Sequence, residues 1–168
     1  MLRFVSGRRI VLAFIGMLVL AGCSKSEKPD LLAQSGPNSA TQVLPGSERD
    51  FIVNVGDRVY FLVDQTDLTP EGMETLSRQA QWLNQYPNVT IQVEGHADER
   101  GTREYNIALS ARRATATREF LISQGVNASR IATLAYGKER PVALCDAESC
   151  WAQNRRSVTV ITGGASPG

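Results

Sequence analysis

The chain has 168 residues, 42% of them hydrophobic and 21% charged, a composition that fits one globular domain with additional chain attached. Its formal net charge is only +1, which is not the strongly basic footprint of a nucleic-acid-binding protein. One histidine and three cysteines leave few ligands for zinc, so a metalloenzyme is not favoured and no cofactor is predicted.

Residues 1–22 have the pattern of an export signal. Three arginines precede an uncharged apolar run at positions 10–21, which is too short for the roughly 20 residues of a bilayer-spanning helix. The segment ends in Leu20-Ala21-Gly22-Cys23, which resembles a bacterial lipobox, in which the cysteine is acylated and becomes the mature N-terminus. Ser24 follows instead of an aspartate, and in lipoproteins of this kind that favours the outer membrane. The alternative is an ordinary signal peptide followed by a chance cysteine.

The mature chain divides into three parts by composition. Residues 23–47, which begin with Cys23, are rich in Ser, Gly and Pro and have no sustained hydrophobic period, so they are predicted to be a flexible tether. Residues 48–162 show strong periodicity and are numerous enough to bury one core. Residues 163–168 are predicted to be a disordered tail.

The periodicity of residues 48–162 predicts alternating strands and helices. Thr69 and Pro70 form a helix start, and Gly125 is placed to end the second helix. Strands are predicted at 58–63, 89–94, 131–135 and 157–161, and helices at 70–86 and 103–124. The order β-α-β-α-β-β predicts an α+β sandwich with both helices on one face of a small mixed sheet.

A polar loop at residues 96–102 joins a predicted strand to the second helix, a place where binding sites are common. On that helix Tyr105, Leu109, Ala116 and Phe120 lie within about 40° of one line and are predicted to be the buried stripe. Arg113 lies at the edge of this stripe and needs a carboxylate partner, for which Asp98 in the loop is the nearest candidate in sequence.

Two interpretations of Asp98 and Arg113 are open. They either form a structural ion pair at the helix start, or they stand apart and receive a zwitterion, the carboxylate taking an ammonium and the guanidinium taking a carboxylate. The spacing does not choose between them.

Cys145 and Cys150 are an even pair once Cys23 is assigned to lipid. Oxidising conditions outside the cytoplasm favour a disulfide between them, which would close a small loop. The alternative, half of a metal site, lacks a second pair of ligands.

Three ordered motifs identify the domain. They are Val93-Glu94-Gly95-His96-Ala97-Asp98-Glu99-Arg100-Gly101-Thr102, then Glu104-Tyr105-Asn106 with Leu109-Ser110-Ala111-Arg112-Arg113-Ala114, and finally Tyr136-Gly137-Lys138-Glu139-Arg140-Pro141 with Asn154-Arg155-Arg156. Together they closely resemble the OmpA-like peptidoglycan-binding domain, and within it the lipid-anchored branch that works with the Tol proteins. The resemblance covers nearly all of residues 58–162.

This resemblance implies a ligand and a site. The ligand is meso-diaminopimelate of the peptidoglycan peptide, a centre that offers both an ammonium and a carboxylate. The implied site residues are Asp98, Arg113, Asn106, Thr102, Leu109 and Asp64. Arg155 is implied to give local support, and His96 is expected to be a hydrogen-bonding loop residue.

The predicted function is therefore a non-enzymatic linker, with lipid on Cys23 in the outer membrane and peptidoglycan bound by the domain. Tol proteins are the expected protein partners, with nucleic acid excluded. One alternative is an OmpA-like lipoprotein without Tol partners. Another is a cell-wall hydrolase that uses Glu94, Asp98 or Glu99 as a carboxylate pair.

Overall fold

The computed structural model describes residues 43–167. The predicted export signal, Cys23 and most of the predicted tether lie outside the described residues. No helix within residues 43–167 is both long and apolar enough to cross a membrane.

Four strands and four helices make up the domain. Strands β1 and β2 are Arg58–Tyr60 and Thr90–Gly95, and β3 and β4 are Ile131–Ala135 and Arg156–Gly163. The helices are α1 (Glu48–Asp50, continued by a π-helical turn Phe51–Val55), α2 (Pro70–Gln85), α3 (Arg103–Ser123) and α4 (Glu148–Asn154), and a 3-10 turn, Ala128–Arg130, precedes β3. The α+β class and the mixed sheet agree with the prediction, whereas α1, its π-helical turn and α4 were not predicted.

The strand order in the sheet is β1-β4-β2-β3. Strand β4 pairs antiparallel with both β1 and β2, and β3 runs parallel to β2. Strands β1, β2 and β3 therefore point the same way, and their carboxyl ends meet at one end of the sheet. The loops that follow them, and the chain that enters β4, are consequently brought together there.

Both long helices cover the same face of this sheet. Val59 of β1 and Gly95 of β2 are paired with the same residue of β4, Ser157, so all three side-chain positions share one face. On that face Gly72 of α2 lies over Val59, and α3 lies over Gly95 with Ser110. The core between the layers is formed by Val59, Leu76, Leu83, Ile91, Val93, Ala114 and Leu121, among others.

Gly95 marks the closest approach of α3 to the sheet. A Cβ atom at this position would lie 1.9 Å from the carbonyl oxygen of Ser110. Only glycine permits this distance, and the contact sets the height at which the first half of α3 crosses the end of β2.

The ends of the domain differ from the boundaries predicted from composition. Ser47 caps α1 by accepting a hydrogen bond from the backbone N–H of Asp50, and it forms a parallel bridge with Ser166. Strand β4 runs on to Gly163, and the N–H of Ser166 donates to the carbonyl oxygen of Gly46. Residues 43–47 and 163–166 thus pack against each other, an arrangement that no hydrophobic period could have indicated.

Candidate functional site

The carboxyl end of the sheet carries the candidate site. Three segments meet there: the loop 61–69 after β1, the loop 96–102 after β2, and α4 with the residue that precedes β4. Thr102 closes the second loop by capping α3, since its hydroxyl accepts a hydrogen bond from the N–H of Tyr105 at 3.2 Å.

Asp98 is nearly buried, with 8% of its surface exposed, and has two arginine partners. Arg100 donates from Nη2 to Oδ2 at 2.6 Å and from Nε to Oδ1 at 3.3 Å. Arg155 donates from Nη1 to Oδ2 at 3.2 Å. Burial alone would raise the pKa of Asp98, but the hydrogen bonds from both arginines outweigh it and hold the pKa below its ordinary value. The side chain is therefore an anion at neutral pH.

Arg113 is fully buried and ties the two loops together. Its Nε donates to the carbonyl oxygen of Gln65 at 2.9 Å and its Nη2 to that of Leu62 at 3.1 Å, both in the first loop. Its Nη1 donates to the carbonyl oxygen of His96 at 2.9 Å, in the second loop. Burial and the nearby charge of Arg155 lower the pKa of Arg113 to about 10, although Asp98 and Asp64 partly compensate.

Asp98 and Arg113 do not form the ion pair that was one of the two interpretations. Within residues 43–167 Arg113 takes part in no salt bridge, and the carboxylate of Asp98 is paired with Arg100 and Arg155 instead. The two side chains stand apart, as the second interpretation requires. Arg113 nevertheless gives three of its five N–H groups to backbone carbonyls.

A cavity of about 260 Å³ opens beside Asp98. It is lined by Val63, Asp64, Asp98, Arg100, Gly101 and Tyr105. Asp64 adopts a left-handed backbone conformation with φ of 56°, and its Oδ1 accepts a hydrogen bond from the Tyr105 hydroxyl at 3.3 Å. Two carboxylates from different loops therefore face one small cavity, which favours a cationic group of a ligand.

The other predicted site residues lie behind this cavity. Asn106 is buried and donates from Nδ2 to the carbonyl oxygen of Arg100 at 2.8 Å, so it holds the second loop in place. Leu109 is buried with the core, one turn further along α3. Thr102 and Asn106 thus hold the second loop and the start of α3 in place, and none of Thr102, Asn106 and Leu109 lines the cavity.

The buried stripe of α3 was predicted only in part: Leu109 is buried and Ala116 and Phe120 are half-buried, but Tyr105 is not. Tyr105 is 43% exposed and lines the cavity, while the buried positions are Asn106, Leu109, Ser110, Arg113, Ala114, Thr117 and Leu121. Four of these seven residues are polar, so a prediction based on apolar side chains placed the buried face of α3 to one side of its actual position. Arg113 lies inside this set of buried positions and not at its edge.

Helix α4 adds an outer layer that sequence reasoning did not find. Its Trp151 donates from Nε1 to Glu99 at 2.9 Å and lies 4.2 Å beneath the guanidinium of Arg100. Its Glu148 forms a salt bridge with Arg155. A disulfide between Cys145 and Cys150 closes the loop where the helix begins. Arg155, assigned local support from the resemblance, contacts Asp98 directly.

His96 makes its hydrogen bonds through its backbone, to Arg113 and Arg156, and not through its ring. It is 2% exposed, and neither ring nitrogen has a hydrogen-bond partner among residues 43–167. The ring stacks on Tyr136 with 5.3 Å between centroids. Burial and the charges of Arg156 and Arg140 lower the pKa of His96 to about 4, so the ring is neutral at physiological pH.

The carboxylates named for a hydrolase are not arranged as an acid catalyst and its partner. A general acid needs a raised pKa, whereas the pKa of Asp98 is lowered. Glu99 is occupied by the indole N–H of Trp151. Glu94 accepts hydrogen bonds from Gln92 and Tyr136.

Several known proteins are similar in sequence to this chain. The OmpA family profile matches residues 60–155. A peptidoglycan-associated lipoprotein of Mesorhizobium japonicum is 55% identical over 94% of this chain and 94% of its own length. One from Agrobacterium fabrum is 58% identical over 91% of this chain and 87% of its own.

Solved structures lead to the same family. The peptidoglycan-associated lipoprotein of Burkholderia pseudomallei superimposes with a TM-score of 0.62 and 40% identity, over 63% of this chain and 90% of that one. The C-terminal domain of Helicobacter pylori MotB gives a TM-score of 0.60 at 25% identity, over 64% of this chain and 84% of that one.

Proposed function

The chain belongs to the OmpA family, which is not a family of enzymes, and from that membership we propose that it is an envelope lipoprotein that binds peptidoglycan without cleaving it. Acylated Cys23 anchors it in the outer membrane, and the domain holds the diaminopimelate of the peptide stem. The lipobox-like sequence around Cys23 and the relatives named peptidoglycan-associated lipoprotein support this proposal.

The observation that supports diaminopimelate as the ligand is that opposite charges are held apart at one end of the sheet. The carboxylates of Asp98 and Asp64 both line the cavity, and Arg113 is a buried cation without a salt-bridge partner among residues 43–167. The side chain of diaminopimelate ends in a stereocentre that bears an ammonium and a carboxylate, so it offers a cation to the carboxylates and an anion to Arg113.

The two ends of the ligand have different roles in this proposal. The ammonium enters the cavity and reaches Asp98. The carboxylate is attracted by the charge of Arg113, whose guanidinium still has two N–H groups that are not given to backbone carbonyls. Thr102, Asn106 and Leu109 hold the helix and loop in the geometry that the ligand meets.

Lysine-type stems provide the direct test. Lysine keeps the side-chain amine but lacks the second carboxylate, so the charge of Arg113 gains no partner. We expect the diaminopimelate tripeptide to bind tens- to several-hundred-fold more tightly than the lysine tripeptide, as measured by isothermal titration calorimetry. A tripeptide in which that carboxylate is amidated is the matched control and should behave like lysine. Equal affinities for all three would contradict the role of Arg113.

Asp98→Asn separates the ammonium contact from the fold. The amide keeps the shape of the carboxylate and removes its charge, so sacculi should no longer pull down the protein while its circular dichroism stays unchanged. A zymogram with purified peptidoglycan should show no lysis, and a lytic band would favour the hydrolase.

The envelope role rests on the same relatives. We propose that the protein works with Tol proteins to keep the outer membrane attached during division. Cys23→Ser should release it into the periplasmic fraction after peptidoglycan is digested, and affinity purification of the acylated protein from cross-linked cells should recover Tol proteins. An OmpA-like lipoprotein without Tol partners would give the first result but not the second.

A further inference from the structure

Asp98 has a full set of hydrogen-bond donors before any ligand arrives. Arg100 supplies three of them, from its backbone N–H, Nε and Nη2, and Arg155 supplies the fourth. A carboxylate has about four lone-pair positions. An ammonium therefore cannot gain a good contact with Asp98 unless one of these donors leaves.

The two arginines differ in how easily they can leave. The side chain of Arg155 is 4% exposed and also donates to the carbonyl oxygen of Phe61 and to Glu148. The side chain of Arg100 is 41% exposed, and among the described residues its guanidinium donates hydrogen bonds to Asp98 alone. It also lies over the ring of Trp151 and within reach of the charges of Glu148 and Asp64. The guanidinium of Arg100 is thus the donor that can be displaced at the lower cost.

The ring of Trp151 holds the guanidinium of Arg100 by a cation–π contact that does not depend on Asp98. This ring lies 4.2 Å from the guanidinium carbon and is fixed by the hydrogen bond from its Nε1 to Glu99. Cation–π attraction persists when the hydrogen bonds to Asp98 are lost, because the ring faces the cation and not the carboxylate.

We propose that Arg100 is an internal competitor of the ligand: its guanidinium occupies Asp98 in the free protein and is displaced by the ligand's ammonium, remaining on the ring of Trp151. Arg100 lines the same cavity as Asp98 and Asp64, so the incoming ammonium takes the position that the guanidinium leaves. This inference rests on the proposed function, because it concerns the ligand assigned to that cavity. It makes Arg100 a residue that sets affinity by opposing binding.

Removal of the competitor should increase affinity. Because the side chain of Arg100 is 41% exposed, solvent screens its attraction to Asp98 and the expected gain is small: Arg100→Ala should bind the diaminopimelate tripeptide about two- to fivefold more tightly than the unmodified domain. Isothermal titration calorimetry at low and at moderate salt measures the affinity of Arg100→Ala and that of the unmodified domain. Arg100→Gln, which is closer in length, should show the same gain, and thermal unfolding checks that each variant is folded.

Arg103→Ala is the matched control. Arg103 is at the start of α3, is 65% exposed at its side chain and pairs with Glu139 and not with Asp98. Its removal changes the net charge by the same amount, so it should leave affinity within twofold.

Each outcome is decisive. A gain in both Arg100 variants and none in the control supports the competitor. Unchanged or weaker binding by the Arg100 variants, with normal binding by the unmodified domain, overturns the competitor alone, and so does an equal gain in the control. Absence of binding by the unmodified domain overturns the proposed function, and the competitor with it.

Discussion

Replacement of Arg113 tests whether this side chain holds the two loops together, in addition to its proposed contact with the ligand. Each of its three hydrogen bonds to backbone carbonyls comes from a charged donor, and such bonds contribute about 1.5–3 kcal/mol each. Burial of the charge opposes this. The fall of its pKa to about 10 corresponds to roughly 3 kcal/mol. The difference leaves a net contribution of about 1–6 kcal/mol.

Arg113→Ala should therefore lower the free energy of unfolding by about 3 kcal/mol or more, because it also leaves a cavity and three unpaired carbonyls in the core. Urea unfolding followed by far-ultraviolet circular dichroism measures this loss directly. The consequence for binding studies is practical: loss of sacculus binding by this variant is informative only at temperatures where it is folded.

Arg112→Ala is the control for Arg113→Ala. Arg112 is the next residue of α3 and is exposed, so its replacement should change the free energy of unfolding by less than about 0.5 kcal/mol. If Arg113→Ala were as stable as Arg112→Ala, the three carbonyl contacts would not hold the loops together, and Arg113 would be a ligand contact alone.

Three further perturbations follow from the structure. Because the pKa of His96 is lowered to about 4, the unfolded chain binds more protons than the folded chain between pH 6.5 and pH 4, and the free energy of unfolding should fall by up to about 3 kcal/mol as pH falls through that window. His96→Phe should remove this pH dependence in urea titrations. The variant should lose no stability at pH 7, since neither ring nitrogen of His96 has a partner among the described residues. Reduction of Cys145–Cys150, or the double replacement by serine, should lower stability by at most about 2 kcal/mol and change tryptophan fluorescence, and a loss well above that figure would mean that the loop has a larger role. Gly95→Ala places a Cβ atom 1.9 Å from a carbonyl oxygen of α3 and should lower the stability measured by thermal unfolding by about 3 kcal/mol or more. Gly72→Ala is the control: on the surface of α2 that faces β1, its Cβ atom would meet its nearest neighbour at 3.4 Å, so the change should be neutral or stabilising. Equal effects of the two replacements would contradict the close approach of α3 to β2.

The regular elements could be predicted because their signals are local. The cap of α2 at Thr69 and Pro70, and the alternation along β2, depend only on neighbouring residues, and both elements are in the structure within a few residues of the prediction. Helix α4 was missed because it has seven residues, no capping side chain and no apolar period. Its place is set by contacts distant in sequence, such as that of Trp151 with Glu99.

The same distinction explains the candidate site. Asp98 stood out because it follows a strand and precedes a helix cap, both of which are visible in sequence. Its real partners, Arg100 and Arg155, could not be ranked above Arg113, because the sequence does not show which guanidinium is directed towards backbone carbonyls. Polar side chains in a helix core are read as surface by any pattern built on hydrophobicity.

The pairing of β2 with β4 has a mechanical consequence. Gly95 is opposite Ser157 at the end that carries the cavity, and Thr90 is opposite Gly163 at the far end, roughly 17 Å away along the strand. The bridge between Ser47 and Ser166 places the chain that leads towards the N-terminus beyond that far end. A pull between the cavity and this N-terminal segment is therefore directed along the strands, so it loads the hydrogen bonds between strands in shear and does not open them one at a time.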